Sequence, residues 1–266
     1  MMFQPCSPKS TAIGALPLLL QGLNLTEISQ STPHLPLVMT GMLVTSCSPT
    51  LAALFVARFY PGTGGLGSVF ARVRFWRVGP VWYLIALIGP VLLLLLAKAM
   101  NAARLGTLAG PWIVLPSFSG PGGLSFVVFG SLFAEEPGWR GFAQPRLQVR
   151  YGALGASVFV GLLWSTWHLW YALLPGGWSN VTRIDLLATY IRLTSTAVIY
   201  AWMYNTTKGS LFIAMIAHLG HNLAASVIPT SANGGEQHLI IALLYSVAAT
   251  GVIFMTDART LCRHSP

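Results

Sequence analysis

Apolar residues run along this chain in long unbroken blocks rather than in alternation. They cover residues 36–59, 80–100, 124–142, 152–174, 184–204, 210–228 and 238–255, with a shorter block at 11–20. A helix needs about 20 apolar residues to cross a bilayer, which the long blocks supply. In lipid every backbone N–H and C=O must bond within the protein, so only helices and closed barrels span. Barrel strands alternate apolar and polar residues, and these blocks do not. The expected fold is therefore all-α: a polytopic transmembrane helical bundle of about seven to eight spans, the eighth being the short 11–20 run. The connections are polar or rich in glycine and proline, and none reads as a soluble domain. The chain divides into an N-terminal segment 1–35 holding the short run, transmembrane helices and loops at 36–122, a core at 123–256 where polar residues interrupt the spans, and a tail at 257–266.

Composition agrees. Hydrophobic residues make up 54% and charged residues 8%, against about 25% charged in a soluble domain. The formal net charge of +9 invites a nucleic-acid reading, but the basic residues lie scattered in loops between apolar blocks. Alternate connections hold Arg58, Arg72, Arg74 and Arg77, then Arg146 and Arg150, then Lys208, then Arg259 and Arg263. The opposite connections hold Lys98, Arg104 and Arg183. The positive-inside rule makes the richer set cytoplasmic, the C-terminus with it. The expected location is the plasma membrane, and no nucleic-acid partner is expected. Arg72 to Arg77, with Phe75 and Trp76 between them, reads as a topology-setting basic loop at the interface. Cys6, Cys47 and Cys262 fit no disulfide or cysteine metal-site spacing. Gly62, Gly64, Gly65 and Gly67 follow no strand and precede no Lys-Ser/Thr, so they form no phosphate-cradling loop.

The candidate chemistry stands out because charge is so scarce. The chain has six acidic residues, and two of them, Glu135 and Glu136, stand side by side at the end of an apolar run. Ionisable groups in a membrane segment are costly and face a cavity or a partner. Arg140 follows Glu136 by four residues, the helical spacing for an ion pair with the acid on the N-terminal side. Glu135 is turned about 100° away and stays available. A structural alternative is a helix-end charge cluster at the lipid headgroups. A second cluster is Trp164-Ser165-Thr166-Trp167-His168, and a third is His218 with Asn222, beside His221. A lone histidine on an apolar helix is more often a hydrogen-bonded core residue than a catalyst. Three spans each contributing acid, imidazole or amide favour one shared intramembrane site. Such a set can activate water with a carboxylate and an imidazole and stabilise an oxyanion with a second imidazole and an amide. Two histidines and a carboxylate are also a zinc ligand set with an open position, although His-Glu-x-x-His is absent. A proton-coupled transporter is the non-enzymatic alternative, yet outside the clusters Arg192 is the main ionisable residue in the spans. A catalytically inactive immunity or scaffold protein is a third reading.

These motifs resemble those of the CPBP intramembrane proteases, which include the type II CAAX prenyl endopeptidases and the bacterial Abi and bacteriocin-processing relatives. The matching residues are Glu135-Glu136-Pro137-Gly138-Trp139-Arg140, Trp164 to His168, and His218-Leu219-Gly220-His221-Asn222. The resemblance covers about residues 123–225. It departs at Trp164, where the family often has phenylalanine. It implies an intramembrane endopeptidase (in the family's description a metalloendopeptidase) acting on a peptide or protein substrate in or at the membrane. By resemblance Glu135 activates the water with His168 assisting, His218 and Asn222 form the oxyanion site, and Glu136 and Arg140 orient the first helix. Zinc held through His168 and His218 and a metal-free, glutamate-activated water are both compatible with it.

Overall fold

In the computed structural model the described residues are 33–107, 110–115, 123–174, 177–229 and 234–262. The short apolar run 11–20 lies outside them. The main helices are α1 (Leu35–Phe59), α2 (Pro80–Leu105), α3 (Gly123–Phe129), α4 (Gln144–His168), α5 (Arg183–Thr206), α6 (Leu211–Val227) and α7 (Gly234–Met255). Two π-helical segments, Gly130–Ala134 and Pro137–Ala143, join α3 to α4. Among the described residues every regular element is helical.

Local chemistry sets the ends. Proline opens α1 and α2, where its missing N–H costs nothing. Thr182 and Asp185 form a capping box at the start of α5, and Ser210 caps α6 by accepting from the Ile213 N–H. Four stretches are long and apolar enough to cross a membrane: Leu35–Phe59, Pro80–Leu105, Val127–His168 and Gly235–Met255. The shorter Leu211–Val227 is also apolar. Their outward faces carry Leu84, Leu92 and Val247, each at least 60% exposed. A row of such residues on a folded surface fits lipid rather than water. The protein is an all-α polytopic membrane bundle.

The sequence reads separate blocks at 124–142 and 152–174; the residues between them are helical too, but the chain is not one continuous helix from Val127 to His168. It breaks at Gly152, whose φ of 68° lies in the left-handed region. A restarting helix has unpaired N–H groups. Those of Ala153 and Leu154 donate to the Arg259 and Ala258 carbonyls at 2.7 and 3.0 Å. The tail therefore docks back onto α4 as far as Cys262, with Leu261 fully buried.

Close backbone approaches hold the bundle together. The π-helical segment crosses α1 at Pro49, where the Gly138 N–H donates to Thr50 Oγ1 at 3.1 Å. A Cβ on Gly138 would meet the Pro49 backbone and come within 2.7 Å of the Thr50 nitrogen. Gly161 lets α4 meet α5 at Thr194, and Gly220 lets α6 meet α2 at Ala86 and Leu87. Small residues at crossings are how membrane helices gain packing when lipid gives no hydrophobic drive. We expect Gly138→Ala to lower the melting temperature and the monodisperse yield in detergent. An overpacked site costs about 1–3 kcal/mol. Gly251→Ala is the control, since nothing lies within 4 Å of its added Cβ. Equal melting of the two variants would refute the crossing.

Candidate active site

Pro137 cannot supply a helical N–H, and the chain widens into π turns on both sides of Glu135. Such turns recur at functional sites. Here they place Glu135 and Glu136 against α4, α5 and α6, inside the core built from Trp139, Trp164, Tyr200, Met203, Ile213 and Ala217.

Glu136 and Arg140 are fully buried. Arg140 Nη1 donates to Glu136 Oε1 at 3.1 Å, the four-residue pair expected from the sequence. The same oxygen lies 2.9 Å from His218 Nδ1. An ionised carboxylate only accepts, so this contact puts the Nδ1 proton on His218 and turns Nε2 toward Glu135. Nε2 stands 3.9 Å from Glu135 Oε1. That is too long for a direct hydrogen bond, and close enough for one oxygen atom to touch both groups.

Trp164 joins the parts. Its indole N–H donates to Glu135 Oε2 at 2.6 Å. Its ring lies edge-on to His168 and to His218, with centroids 5.4 and 5.6 Å away. Its face also receives the Arg140 guanidinium at 4.8 Å, while Tyr200 offers a second face at 5.0 Å. Cation–π contact suits a guanidinium out of water. His168 Nδ1 donates to the Trp164 carbonyl at 2.9 Å, which leaves its Nε2 for other work. Asn222 Nδ2 donates to Ser131 Oγ at 2.9 Å. Ser131 belongs to the first π segment and hands its own proton to the Val127 carbonyl at 2.7 Å.

The structure thus brings Glu135, Glu136, Arg140 and His218 into direct contact or near-contact. It links His168 through Trp164, and it sets Asn222 one turn beyond His218, against Ser131. The sequence reading placed His221 near the face of His218. Instead His221 turns toward α5 and α7, with Nδ1 2.7 Å from the Tyr245 hydroxyl and Nε2 3.3 Å from Arg192 Nη1. Sequence reasoning missed the grip of Trp164 on Glu135 and the parts of Tyr200 and Ser131. Trp164 could have been found, since it lies four residues before His168 on the same helix face. Nothing local marks Tyr200 or Ser131.

Residues 117–224 match the family model described as type II CAAX prenyl endopeptidase Rce1-like. That stretch is similar to the Rce1-like family over somewhat less than half of the chain. The motifs of the candidate site, Glu135 through Asn222, all fall inside the matched Rce1-like stretch. The chain is also similar to CAAX prenyl protease 2 of Methanococcus maripaludis, with 29% identity over 157 residues. That match covers 54% of this chain and 54% of the relative, so the chain spans about half the length of the curated relative it matches.

Zinc would make its own demands on these residues. A catalytic zinc needs three side-chain ligands converging at about 2.0–2.2 Å. Among the described residues no three His, Cys, Asp or Glu side chains form such a group. Glu135 Oε2 and His218 Nδ1 are already committed to Trp164 and Glu136. Those bonds leave Glu135 Oε1 and the Nε2 atoms of His218 and His168 as the donors a metal would need, and among the described residues they are not gathered into such a group.

Proposed function

We propose that this protein is an intramembrane endopeptidase that hydrolyses a peptide bond of a membrane-associated, prenylated-type protein by a water that Glu135 activates. The observation that carries the reading is the gap between Glu135 Oε1 and His218 Nε2, 3.9 Å wide, in a chain whose core matches a prenyl endopeptidase family. A water in that gap loses a proton to Glu135 as its oxygen bonds to the scissile carbonyl carbon. His168 orients that water through Nε2. The carbonyl oxygen becomes an oxyanion, and His218 and Asn222 donate to it. For His218 this requires a proton on Nε2 as well as on Nδ1, an imidazolium between two carboxylates. The proton taken by Glu135 then passes to the leaving nitrogen as the C–N bond breaks, giving a carboxylic acid and an amine, which exchange the acid proton to become carboxylate and ammonium. No step is routed through a metal. The test is cleavage of a farnesylated peptide by the purified protein, with the products located by mass spectrometry. No cleavage by folded wild-type protein of that peptide or of other membrane-anchored peptides would end the reading.

The two oxyanion donors give a sharper expectation. His218→Ala and Asn222→Ala should each lower kcat by about 10²–10³-fold, the usual loss for one oxyanion donor. His221→Ala should cost kcat much less, since its ring nitrogens bond to Tyr245 and Arg192. Initial rates at equal folded amounts decide it. A dead His221→Ala beside an active His218→Ala would reverse the assignment.

We further propose that the protein lies in the plasma membrane with its C-terminus in the cytoplasm, by the loop-charge asymmetry. Single cysteines at Arg74 and Lys208 should then label from the cytoplasmic side, and cysteines at Arg104 and Arg183 from the other. Labelling of positions 74 and 104 from one side would overturn this orientation.

A further inference from the structure

The connection between α1 and α2 exposes Arg72, Arg74 and Arg77, with Phe75 and Trp76 exposed between them. It joins two helices long and apolar enough to cross a membrane, so it lies at a bilayer surface. The segment is fixed against the bundle. Ser210 Oγ donates to the Phe75 carbonyl at 2.6 Å, and the Tyr83 hydroxyl donates to the carbonyl of Trp76. Val73 packs against the cluster of Tyr204, Leu211 and Met215. Arg72 then reaches across the turn between α5 and α6. Its Nη1 donates to the Lys208 carbonyl at 3.4 Å, and a Cβ on Gly209 would collide with that nitrogen. Lys208 is exposed and holds a φ of 58°, a left-handed conformation that is costly for a residue with a side chain.

Two cationic residues are thus held together, and no carboxylate of the described residues is set against them. Outside the candidate site, Arg104 pairs with Glu236 and His238 meets Asp185, all at the opposite end of the bundle. At this end the one described acid is Asp257, whose Oδ1 accepts from the N–H groups of Arg259 and Thr260. Like charges without a counter-charge repel, and a shared anion relieves the repulsion. We propose that Arg72 and Lys208 hold the phosphate of an anionic phospholipid, with Phe75 and Trp76 in the headgroup layer beside it. A guanidinium fork matches phosphate oxygens, and an ammonium serves the same group as a point charge. Tryptophan settles at the headgroup level, and basic residues beside a span draw anionic lipids. A topology-setting charge needs no fixed geometry, whereas Gly209 and the left-handed Lys208 fix where these two residues meet. The site is independent of the endopeptidase reading.

The experiment titrates the full chain in neutral detergent with dioleoylphosphatidylglycerol and, separately, with dioleoylphosphatidylcholine, and reads bound lipid by native mass spectrometry. The anionic lipid should bind roughly 10- to 30-fold tighter, at about fivefold for each of two cations. Arg72→Gln combined with Lys208→Asn should bring the ratio close to one; asparagine tolerates the left-handed backbone. Arg58→Gln combined with Arg150→Gln removes the same charge from exposed positions at the same end and should leave the ratio in place. An equal fall in that control would replace the site by a diffuse field and overturn the proposal, as would a wild type without preference. Displacement of the lipid by an equal concentration of inorganic phosphate would overturn it in favour of a free-anion site. If the double variant at 72 and 208 does not fold, Lys208→Asn alone decides, and a ratio that does not fall by about fivefold sinks the proposal.

Discussion

Glu135→Gln should remove proteolysis, with a fall in kcat of about 10²–10⁴-fold, while the protein stays folded and inserted. Glutamine keeps the length and shape of the side chain and can still accept from the Trp164 indole N–H that now meets Oε2 at 2.6 Å. What it cannot do is take a proton from water. Glu135 is 8% exposed, so neutralising it also removes a charge that the fold must otherwise tolerate. Stability should hold or rise, and this separates a chemical loss from a structural one. The measurement pairs initial rates on a farnesylated peptide with thermal melting of the same preparation. A variant that melts like the wild type and still cuts at the wild-type rate would remove Glu135 from the role of base.

Glu136→Ala should fail differently, by losing the fold. Arg140 is fully buried, with its charge balanced by Glu136 at 3.1 Å and its faces against Trp164 and Tyr200. Removing one partner of a buried ion pair leaves a naked charge and costs about 3–5 kcal/mol, a large part of a typical domain's stability. Replacing both partners by apolar groups is often neutral. The double variant Glu136→Leu with Arg140→Leu should therefore recover monodisperse protein in detergent and a near-normal melting temperature. It should not recover activity, because His218 Nδ1 loses the oxygen that orients it at 2.9 Å. Detergent gel filtration and melting of the three variants check this. A stable Glu136→Ala protein would show that the pair does not hold the core.

Together the two variants separate adjacent carboxylates by environment. Glu135 points at the gap shared with His218 and has a neutral indole as its donor. Glu136 points into the bundle and spends one oxygen on an arginine and an imidazole.

By itself the sequence determined the class of fold. Unbroken blocks of about 20 apolar residues lack the alternation of barrel strands, so helices are the spanning form left to them, and α1, α2, α5 and α6 begin and end within a few residues of the blocks that predicted them. It also determined which residues could do chemistry, because charge at membrane depth is costly and so rare. The Glu136–Arg140 pair was legible from spacing alone, since a four-residue interval on a helix is a contact. Only the tertiary structure decided the rest. The π segment that follows Glu135 lies with Gly138 against the backbone of Pro49, 89 residues earlier in the chain, a crossing invisible to any local period. The same packing rotates His221 away from His218 toward Arg192 and Tyr245. Trp164 meets Glu135 across 29 residues, and the tail caps α4 across more than 100. Spacing along one helix fixes which side chains share a face. Which face meets which neighbour is fixed by helix packing, and in a membrane bundle that rests on where glycines let backbones approach.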